Sequence, residues 1–205
     1  MHCLRRISLE GSPGLTAAGI HDLFPCSHVG WLSLASTAVT VAELKGITRL
    51  SRLKDLHLSH TSITHACMAH LEGVPQLRVL ALTGCRGESA ASMVHMSRLG
   101  TVEKVELRGS AVGEEGLQHL MALSHLRHLS VPPGVSDCGM KHVRGMAREK
   151  LGLWDAELTA TGVQCLWNLI HLQQVATNDE RIQGWTITRS TLNYTINLYS
   201  GLPRP

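Results

Sequence analysis

Apolar residues recur along most of this chain in one short pattern, Leu-x-x-Leu-x-Leu, in which valine or isoleucine sometimes replaces leucine. The four clearest copies begin at Leu53, Leu77, Val102 and Leu126, so successive copies lie 24, 25 and 24 residues apart. Weaker copies begin at positions 4, 29, 148 and 172. Short runs of alternating apolar residues predict β-strands with one buried face. The pattern therefore predicts eight strand segments in a regular repeat.

A second signature follows the strands and predicts the start of a helix. Three residues after the last apolar strand position, one repeat reads Thr37-Ala38-Val39-Thr40 and the next reads Thr61-Ser62-Ile63-Thr64. The last residue of each signature suits a helix N-cap, because its hydroxyl accepts from free backbone N–H groups. The hydroxyl residues at this position are Thr16, Thr40, Thr64, Ser89, Ser136 and Thr159. Gly113 interrupts the column, but Glu114 and Glu115 follow it and favour the positive end of a helix dipole.

A mostly small residue stands three positions after each cap and predicts close packing between helices of neighbouring repeats. Its occupants are Gly19, Glu43, Cys67, Ser92, Gly116, Gly139 and Gly162. Glu43 is the exception, and its side chain is expected to turn outward.

This unit resembles the leucine-rich repeat family, in the short-period variety where Thr-x-Ile-Thr follows the strand and a Gly-Leu pair lies in the helix. The period falls within the family range of about 20–29 residues. The resemblance covers roughly residues 3 to 177. It implies an α/β fold, a right-handed solenoid of about seven to eight repeats with parallel strands on a concave face and helices on a convex face.

The ends of the array differ from its middle. We assign residues 1–177 to the solenoid and residues 178–205 to a non-repeat C-terminal tail. Within the tail, residues 191–199 alternate polar and apolar side chains, which predicts a strand that caps the array or docks on a partner. The first strand pattern begins almost at Met1, so we expect an uncapped N-terminal end.

Composition excludes several classes of partner. The formal net charge is +3, and 19 basic residues are dispersed among 16 acidic ones, so we expect no nucleic acid partner. No segment approaches the ~18 apolar residues of a membrane helix, and the first residues lack the apolar run of a secretory signal. We therefore expect an intracellular, cytoplasmic protein with no membrane partner.

No motif indicates catalysis or a bound cofactor. The six cysteines form no Cys-x-x-Cys pair, which indicates free thiols rather than a disulfide framework or a zinc ribbon. The spacing of His65, Cys67 and His70 does not bring three ligands onto one metal ion. The chain has neither a Gly-x-Ser-x-Gly elbow nor a phosphate-binding loop. We expect no enzyme activity, no cofactor, no metal and no small-molecule substrate.

The concave face is the candidate binding surface. Side chains alternate along a strand, so the third, fifth and seventh places of each pattern point to that face. Two tryptophans occupy such places in a chain with only seven aromatic residues, and a mildly positive stretch lies between them. That stretch favours an acidic or mixed-charge ligand. The candidate partner-binding residues are Trp31, His57, Lys104, Glu106, Arg108, His128, Lys150 and Trp154.

The alternative interpretation of this face is that Trp154 folds over a neighbouring strand and the charges are an ordinary solvated surface.

Four histidines share one position near the end of their helices. They are His70, His95, His119 and His142. Stacked imidazoles on adjacent repeats respond to pH, because protonating one disfavours protonating the next. The alternative is a solvated position that tolerates any polar residue.

The favoured function is a non-catalytic adaptor that binds a protein partner through the concave face. The first alternative is a structural subunit of a large multi-protein complex, with contacts through the uncapped N-terminal end and the tail. The second is the substrate-recognition part of a ubiquitin-ligase adaptor, which requires an upstream helical docking domain.

Overall fold

The computed structural model describes residues 4–12, 14–15, 17–23, 25–87, 90–143, 149–167, 169, 171–178, 186–190 and 193–197. Strands and helices alternate through most of this length. The strands are β1 Arg6–Ser8, β2 Trp31–Ser33, β3 Asp55–His57, β4 Val79–Ala81, β5 Lys104–Glu106, β6 His128–Ser130, β7 Lys150–Leu153, β8 Gln174–Thr177, β9 Thr186–Ser190 and β10 Asn193–Asn197. The helices are α1 Ala17–His21, α2 Val41–Leu44, α3 His65–Leu71, α4 Ala90–Met96, α5 Glu114–Leu120, α6 Asp137–Val143 and α7 Ala160–Trp167. A short 3-10 helix, Ile47–Arg49, follows α2.

The strands form one sheet in the order in which they occur along the chain. Strands β1 to β8 are parallel, and the predicted register is confirmed: Leu32 pairs with Leu56, and Leu56 pairs with Leu80. The predicted α/β solenoid with parallel strands is therefore confirmed. Strand β9 is antiparallel to β8 through Gln174 and Thr186, and β10 is antiparallel to β9.

The strand predicted in the C-terminal tail is present in part. Strand β10 lies inside the predicted segment 191–199, whereas positions 191, 192, 198 and 199 lie outside the described residues. The division of the chain at residue 177 stays a prediction.

The core lies between the sheet and the helices, where the middle residues of the strands meet the apolar helix anchors. Leu32, Leu56 and Leu80 are fully buried, as are the anchors Met68 and Leu117. Burying one such side chain stabilises the fold by about 1.5–3 kcal/mol. Because the rows continue from repeat to repeat, these contributions join in one elongated core.

The first repeat is less enclosed than the others. Leu4 is 47% exposed, and Ile7 and Leu9 are only partly buried, whereas Leu32 in the next repeat is 0% exposed. Val29 and Leu53 occupy the place of Leu4 in the next two repeats and are fully buried. Among the described residues, no side chain covers Leu4 in that way. Within the part of the chain that the structure describes, the apolar side chains of the first repeat are therefore more accessible than those of the next one.

The chain reverses after each of the strands β1 to β7 at a residue with left-handed backbone geometry. These residues have φ between 56° and 71° and are Gly11, Ser36, His60, Gly84, Gly109, Gly134 and Asp155. Glycine is required at Gly84, because a Cβ there would collide with the imidazole of His60. The repeated turn is what returns each strand to the helix side.

Helix α2 begins with a capping box. The backbone N–H of Thr40 donates to Glu43 Oε2 at 2.8 Å, and the Thr40 hydroxyl also bonds that carboxylate. These bonds hold the pKa of Glu43 below its ordinary value. The predicted cap at Thr40 is confirmed, but Glu43 folds back onto its own helix instead of turning outward.

Two later helices are capped by a carboxylate from the preceding repeat. Glu114 Oε2 accepts from the backbone N–H of Ser136 at 3.2 Å, from the Ser136 hydroxyl at 2.7 Å and from the N–H of Gly139 at 3.1 Å. Asp137 Oδ1 accepts in turn from the backbone N–H of Thr159 at 2.9 Å, and its carboxylate also bonds the Thr159 hydroxyl. The hydroxyls of Ser136 and Thr159 hold the pKa of each carboxyl below its ordinary value.

These caps explain the small-residue slot. A Cβ on Gly139 would stand 2.9 Å from Glu114 Cβ, and one on Gly162 would collide with Asp137 Oδ1. The predicted close packing at these two positions is confirmed. The helix predicted after Gly113 is also confirmed, since α5 begins at Glu114. Thr16 and Ser89 lie outside the described residues.

Candidate functional site

The parallel register brings the predicted surface residues into columns on one face of the sheet. Lys104 pairs with His128, and His128 pairs with Lys150. The structure divides the candidate residues into two clusters. Trp31 and His57 lie together at the N-terminal end, and the remaining six lie on or beside the strands β5 to β7.

The Trp31 cluster consists of Arg6, Trp31 and His57, from three successive strands. The guanidinium carbon of Arg6 lies 4.6 Å from the centroid of the Trp31 ring. The ring centroids of Trp31 and His57 are 5.1 Å apart, with the planes tilted by 45°. A cation over an aromatic ring contributes about 0.5–1 kcal/mol at an exposed site. Both neighbouring strands thus contribute a contact to the half-buried indole.

The second tryptophan is arranged differently. Trp154 follows β7, and the guanidinium carbon of Arg108 lies 4.6 Å from its ring centroid. The equivalent place in the intervening repeat is Pro132, which is buried. Because adjacent strands are about 4.8 Å apart, Arg108 reaches across two strand spacings to stack on this ring.

A depression of about 290 Å³ lies beside Trp154 on the same face. The side chains that border it belong mainly to strands β5 to β8, and the lining residues are Lys104, Val105, Glu106, His128, Leu129, Ser130, Lys150, Leu151, Gly152, Trp154, Gln174 and Ala176. Gly152 lies at its floor. A Cβ on Gly152 would collide with Ser130 Oγ and stand 3.2 Å from Trp154 Nε1. The indole therefore lies over a position of its own strand that has no side chain.

The carboxylates near this depression are paired with cations, and further cations remain unpaired. Lys104 Nζ lies 2.6 Å from Glu106 Oε1, and Arg127 Nη1 lies 2.7 Å from Glu149 Oε1. The hydrogen bond from Arg127 holds the pKa of Glu149 below its ordinary value. Among the described residues, no carboxylate lies within ion-pair distance of Lys150 or Arg108. These two cations are therefore available to a negatively charged ligand.

His128 lies between the two ion pairs. Its Nε2 is 3.4 Å from Glu149 Oε2, which is an ion-pair distance rather than a well-formed hydrogen bond. The imidazole thus borders both Glu149 and the depression.

Comparison with known proteins supports the fold. No family model matches the sequence, and no curated protein sequence matches it. Among solved structures, internalin C2 from Listeria monocytogenes strain 4b F2365 is similar with a TM-score of 0.58 and 19% identity, over 85% of this chain and 80% of that one. Internalins are leucine-rich repeat proteins. The chain has the leucine-rich repeat fold.

A second internalin, InlF from the same strain, matches with a TM-score of 0.49 and 12% identity, over 84% of this chain and 60% of that one.

Two residues of the leucine-rich repeat surface were missed by sequence reasoning. Gly152 and Ser130 belong to the predicted columns, but neither was selected as a binding residue. The signal was present, since Gly152 is the one position of its column without a side chain. Arg6 was also missed as a partner of Trp31. The indole of Trp154 lies close to Gly152 of its own strand, and the alternative that it folds over a neighbouring strand stays a prediction.

On the convex side of the leucine-rich repeats, the four histidines of the predicted column are all half-buried. His95 Nδ1 lies 2.6 Å from Glu72 Oε1 of the preceding repeat, and Arg98 Nη1 lies 3.0 Å from the same atom. The hydrogen bond from His95 holds the pKa of Glu72 below its ordinary value. Here the histidine contacts a carboxylate, and a pH response of the column stays a prediction.

None of the described helices has both the length and the apolar character needed to cross a membrane.

Proposed function

We propose that this leucine-rich repeat protein is a non-catalytic interaction module that binds a protein partner through its concave face. The observation that carries the proposal is the pair of arginine-stacked tryptophans on one face, one of them beside a cationic depression. Tryptophan and arginine are enriched among the residues that contribute most to protein interfaces. The leucine-rich repeat fold is itself typical of interaction modules.

The size of the face suits a protein ligand. Eight parallel strands at about 4.8 Å spacing extend for about 34 Å, which accommodates one side of a standard protein interface. The stacked rings are already ordered, so less side-chain entropy is lost when they are covered.

The proposal is tested with displayed random peptides selected on the wild-type protein. We expect the recovered peptides to bind a Trp31→Ala/Trp154→Ala/Lys150→Glu variant at least about tenfold more weakly, measured by fluorescence anisotropy. Lys45→Glu is the matched control, because Lys45 is an exposed cation at the end of α2 on the convex side. Equal affinity for the triple variant and the wild type would show that the concave face is not the binding surface.

The exposure of apolar side chains in the first repeat favours a second candidate, a subunit of a larger assembly. Leu4 is 47% exposed there, beside the partly buried Ile7 and Leu9. Association through this end predicts a concentration-dependent mass by light scattering that Leu4→Glu reduces to the monomer. A monomer at all concentrations contradicts self-association through this end.

The cysteines support our proposal of an intracellular location. Cys26, Cys138 and Cys165 form no disulfide among the described residues, and such thiols persist in reducing compartments. Fractionation of the source cells with an antibody to this chain tests the location, and recovery from the medium or the cell surface contradicts it.

A further inference from the structure

We infer that the depression beside Trp154 binds the carboxylate of an aspartate or glutamate in an acidic, extended segment of the protein partner. The inference rests on the proposed function, because it requires that the concave face be the binding surface. It adds the chemistry of the partner and the position at which one acidic side chain is held.

Two hydrogen-bond donors meet over Gly152. Ser130 Oγ and Trp154 Nε1 both border the point where a Cβ of Gly152 would stand. Within the described part of the chain, neither donor makes a side-chain hydrogen bond. These two groups take up the space directly over Gly152, so we place the carboxylate oxygen beyond them in the depression, where it accepts from both. Hydrogen bonds to an ionised acceptor are about twice as strong as those between neutral groups.

The charges around this point select a negative ligand. Lys150 begins β7 at the rim, and Arg108 stacks on Trp154, so two cations without a carboxylate partner face the ligand. The nearby carboxylates of Glu106 and Glu149 are engaged by Lys104 and Arg127. A cationic side chain would meet two like charges, and a neutral one would leave both cations without a counter-charge.

The rest of the face limits where the acidic residues bind. The adjacent repeat presents Val79 and Ala81, which are uncharged and at least half-buried. A bound segment that crosses the strands therefore meets positive charge at the depression beside Trp154 and an apolar surface next to it. The acidic residues of the partner are expected at one end of the bound segment.

The first experiment compares two libraries of displayed random peptides, selected together on the wild-type protein. In one library every second position is Asp or Glu, and in the other these positions are Asn or Gln. We expect the acidic library to be enriched by at least about tenfold. Equal recovery, or enrichment of the amide library, overturns the inference. Recovery of neither library above bead background counts against the inference and the proposed function together.

The second experiment locates the carboxylate with variants. A peptide recovered from the acidic library is synthesised with an amidated C-terminus, so that only side-chain carboxylates are present. We expect Gly152→Ala to weaken binding at least about tenfold, because its added Cβ would displace Ser130 Oγ and crowd Trp154 Nε1. Gly100→Ala is the matched control, because no atom lies within 4 Å of the added Cβ. Unchanged binding by Gly152→Ala overturns the inference.

Two further variants guard against a folding defect in Gly152→Ala, which thermal unfolding would reveal. Trp154→Phe keeps an aromatic ring but removes the indole N–H, and Lys150→Gln removes a rim cation, with Lys45→Gln as its control. We expect each site variant to weaken binding of the acidic peptide by about threefold to tenfold. Binding of the peptide in which Gln replaces the acidic residues should stay unchanged. Equal effects on both peptides overturn the inference.

The two proposals fail in different ways. Selected peptides that lose affinity for Trp31→Ala/Trp154→Ala but show no acidic preference leave the proposed function in place and overturn the inference. Peptides that bind this double variant as tightly as the wild type overturn both.

Discussion

The two tryptophan clusters of the concave face use the same residue types and reach different structures. Trp31 lies within a strand, with Arg6 on one neighbouring strand and His57 on the other, and both contacts are close to its ring. Trp154 follows its strand and lies over Gly152, while its stacked arginine comes from two repeats away. The first indole joins neighbouring repeats, and the second borders an unfilled depression.

This difference shows that the neighbour of an aromatic residue decides its role. Trp31 contacts His57, which lies two places beyond its register partner Asp55 on β3, and in β7 the column of His57 is occupied by Gly152. The imidazole uses its place for a contact with Trp31, whereas the missing side chain at Gly152 leaves room for Ser130 Oγ and the Trp154 indole, which both border the depression. The Trp31 cluster is therefore expected to contribute mainly to stability, and the Trp154 cluster mainly to binding.

Alanine at each tryptophan gives the largest contrast in stability. We expect Trp31→Ala to lower the free energy of unfolding by about 2–3 kcal/mol, because it removes contacts between three strands beside the less enclosed first repeat. Trp154→Ala is expected to lower it by about 1 kcal/mol, because that ring is covered on one side by a single stacked arginine. Urea unfolding followed by circular dichroism measures both, and equal losses would contradict the comparison.

For binding, we expect Trp154→Ala to have the larger effect and Trp31→Ala the smaller one. For the acidic peptide, Trp154→Ala should weaken binding about thirtyfold, which corresponds to about 2 kcal/mol, and Trp31→Ala by less than about threefold. Titration calorimetry measures both affinities. A greater loss with Trp31→Ala would place the acidic segment at the N-terminal cluster instead.

The source of the capping carboxylate distinguishes the helices behind the two clusters. Helix α2 uses its own Glu43, while α6 depends on Glu114 of the preceding repeat. Since the folded pKa of Glu114 lies below its ordinary value of 4.5, its stabilising contribution is complete above that pH and is lost as the pH falls through the lowered pKa. We expect Glu114→Gln to cost about 1 kcal/mol at neutral pH, a figure that allows for its solvent exposure.

Urea unfolding at neutral and acidic pH checks this effect. The variant should lose less stability on acidification than the wild type, because its side chain no longer titrates. Equal loss in both proteins would show that the cap at Ser136 contributes nothing to acid sensitivity.

The smallest effect is expected from the ion pair on the face itself. Glu106→Gln should change stability by less than about 0.5 kcal/mol, because exposed ion pairs contribute little. It frees Lys104, so the acidic peptide should bind about threefold more tightly, and the gain should shrink at high salt. Unchanged or weaker binding would show that Lys104 does not contact the ligand.

The repeat spacing was sufficient to predict the fold and the columns. The register of Leu32 with Leu56 follows from aliphatic residues about 24 positions apart, since each must enter the same core. The spacing does not determine where a long side chain points once it leaves the sheet. Arg108 passes over a whole repeat to reach Trp154, and no local period encodes that contact.

The sequence pattern also did not predict the carboxylate caps between repeats. Glu114 was assigned to the dipole of its own helix, but its carboxylate bonds Ser136 of the next repeat. The choice between these partners depends on the distance between helices, which the glycine at Gly139 sets. Small residues predicted close packing without identifying the group that fills the space.

The two carboxylate caps between repeats run in the same direction along the chain. Glu114 in α5 supports the start of α6, and Asp137 in α6 supports the start of α7. Loosening α5 therefore removes a restraint from α6 and then from α7, while fraying of α7 leaves the earlier starts intact. Helices α6 and α7, which lie behind Trp154, are therefore each held in part by the helix before them. Local unfolding is expected to propagate more readily toward the C-terminus than toward the N-terminus.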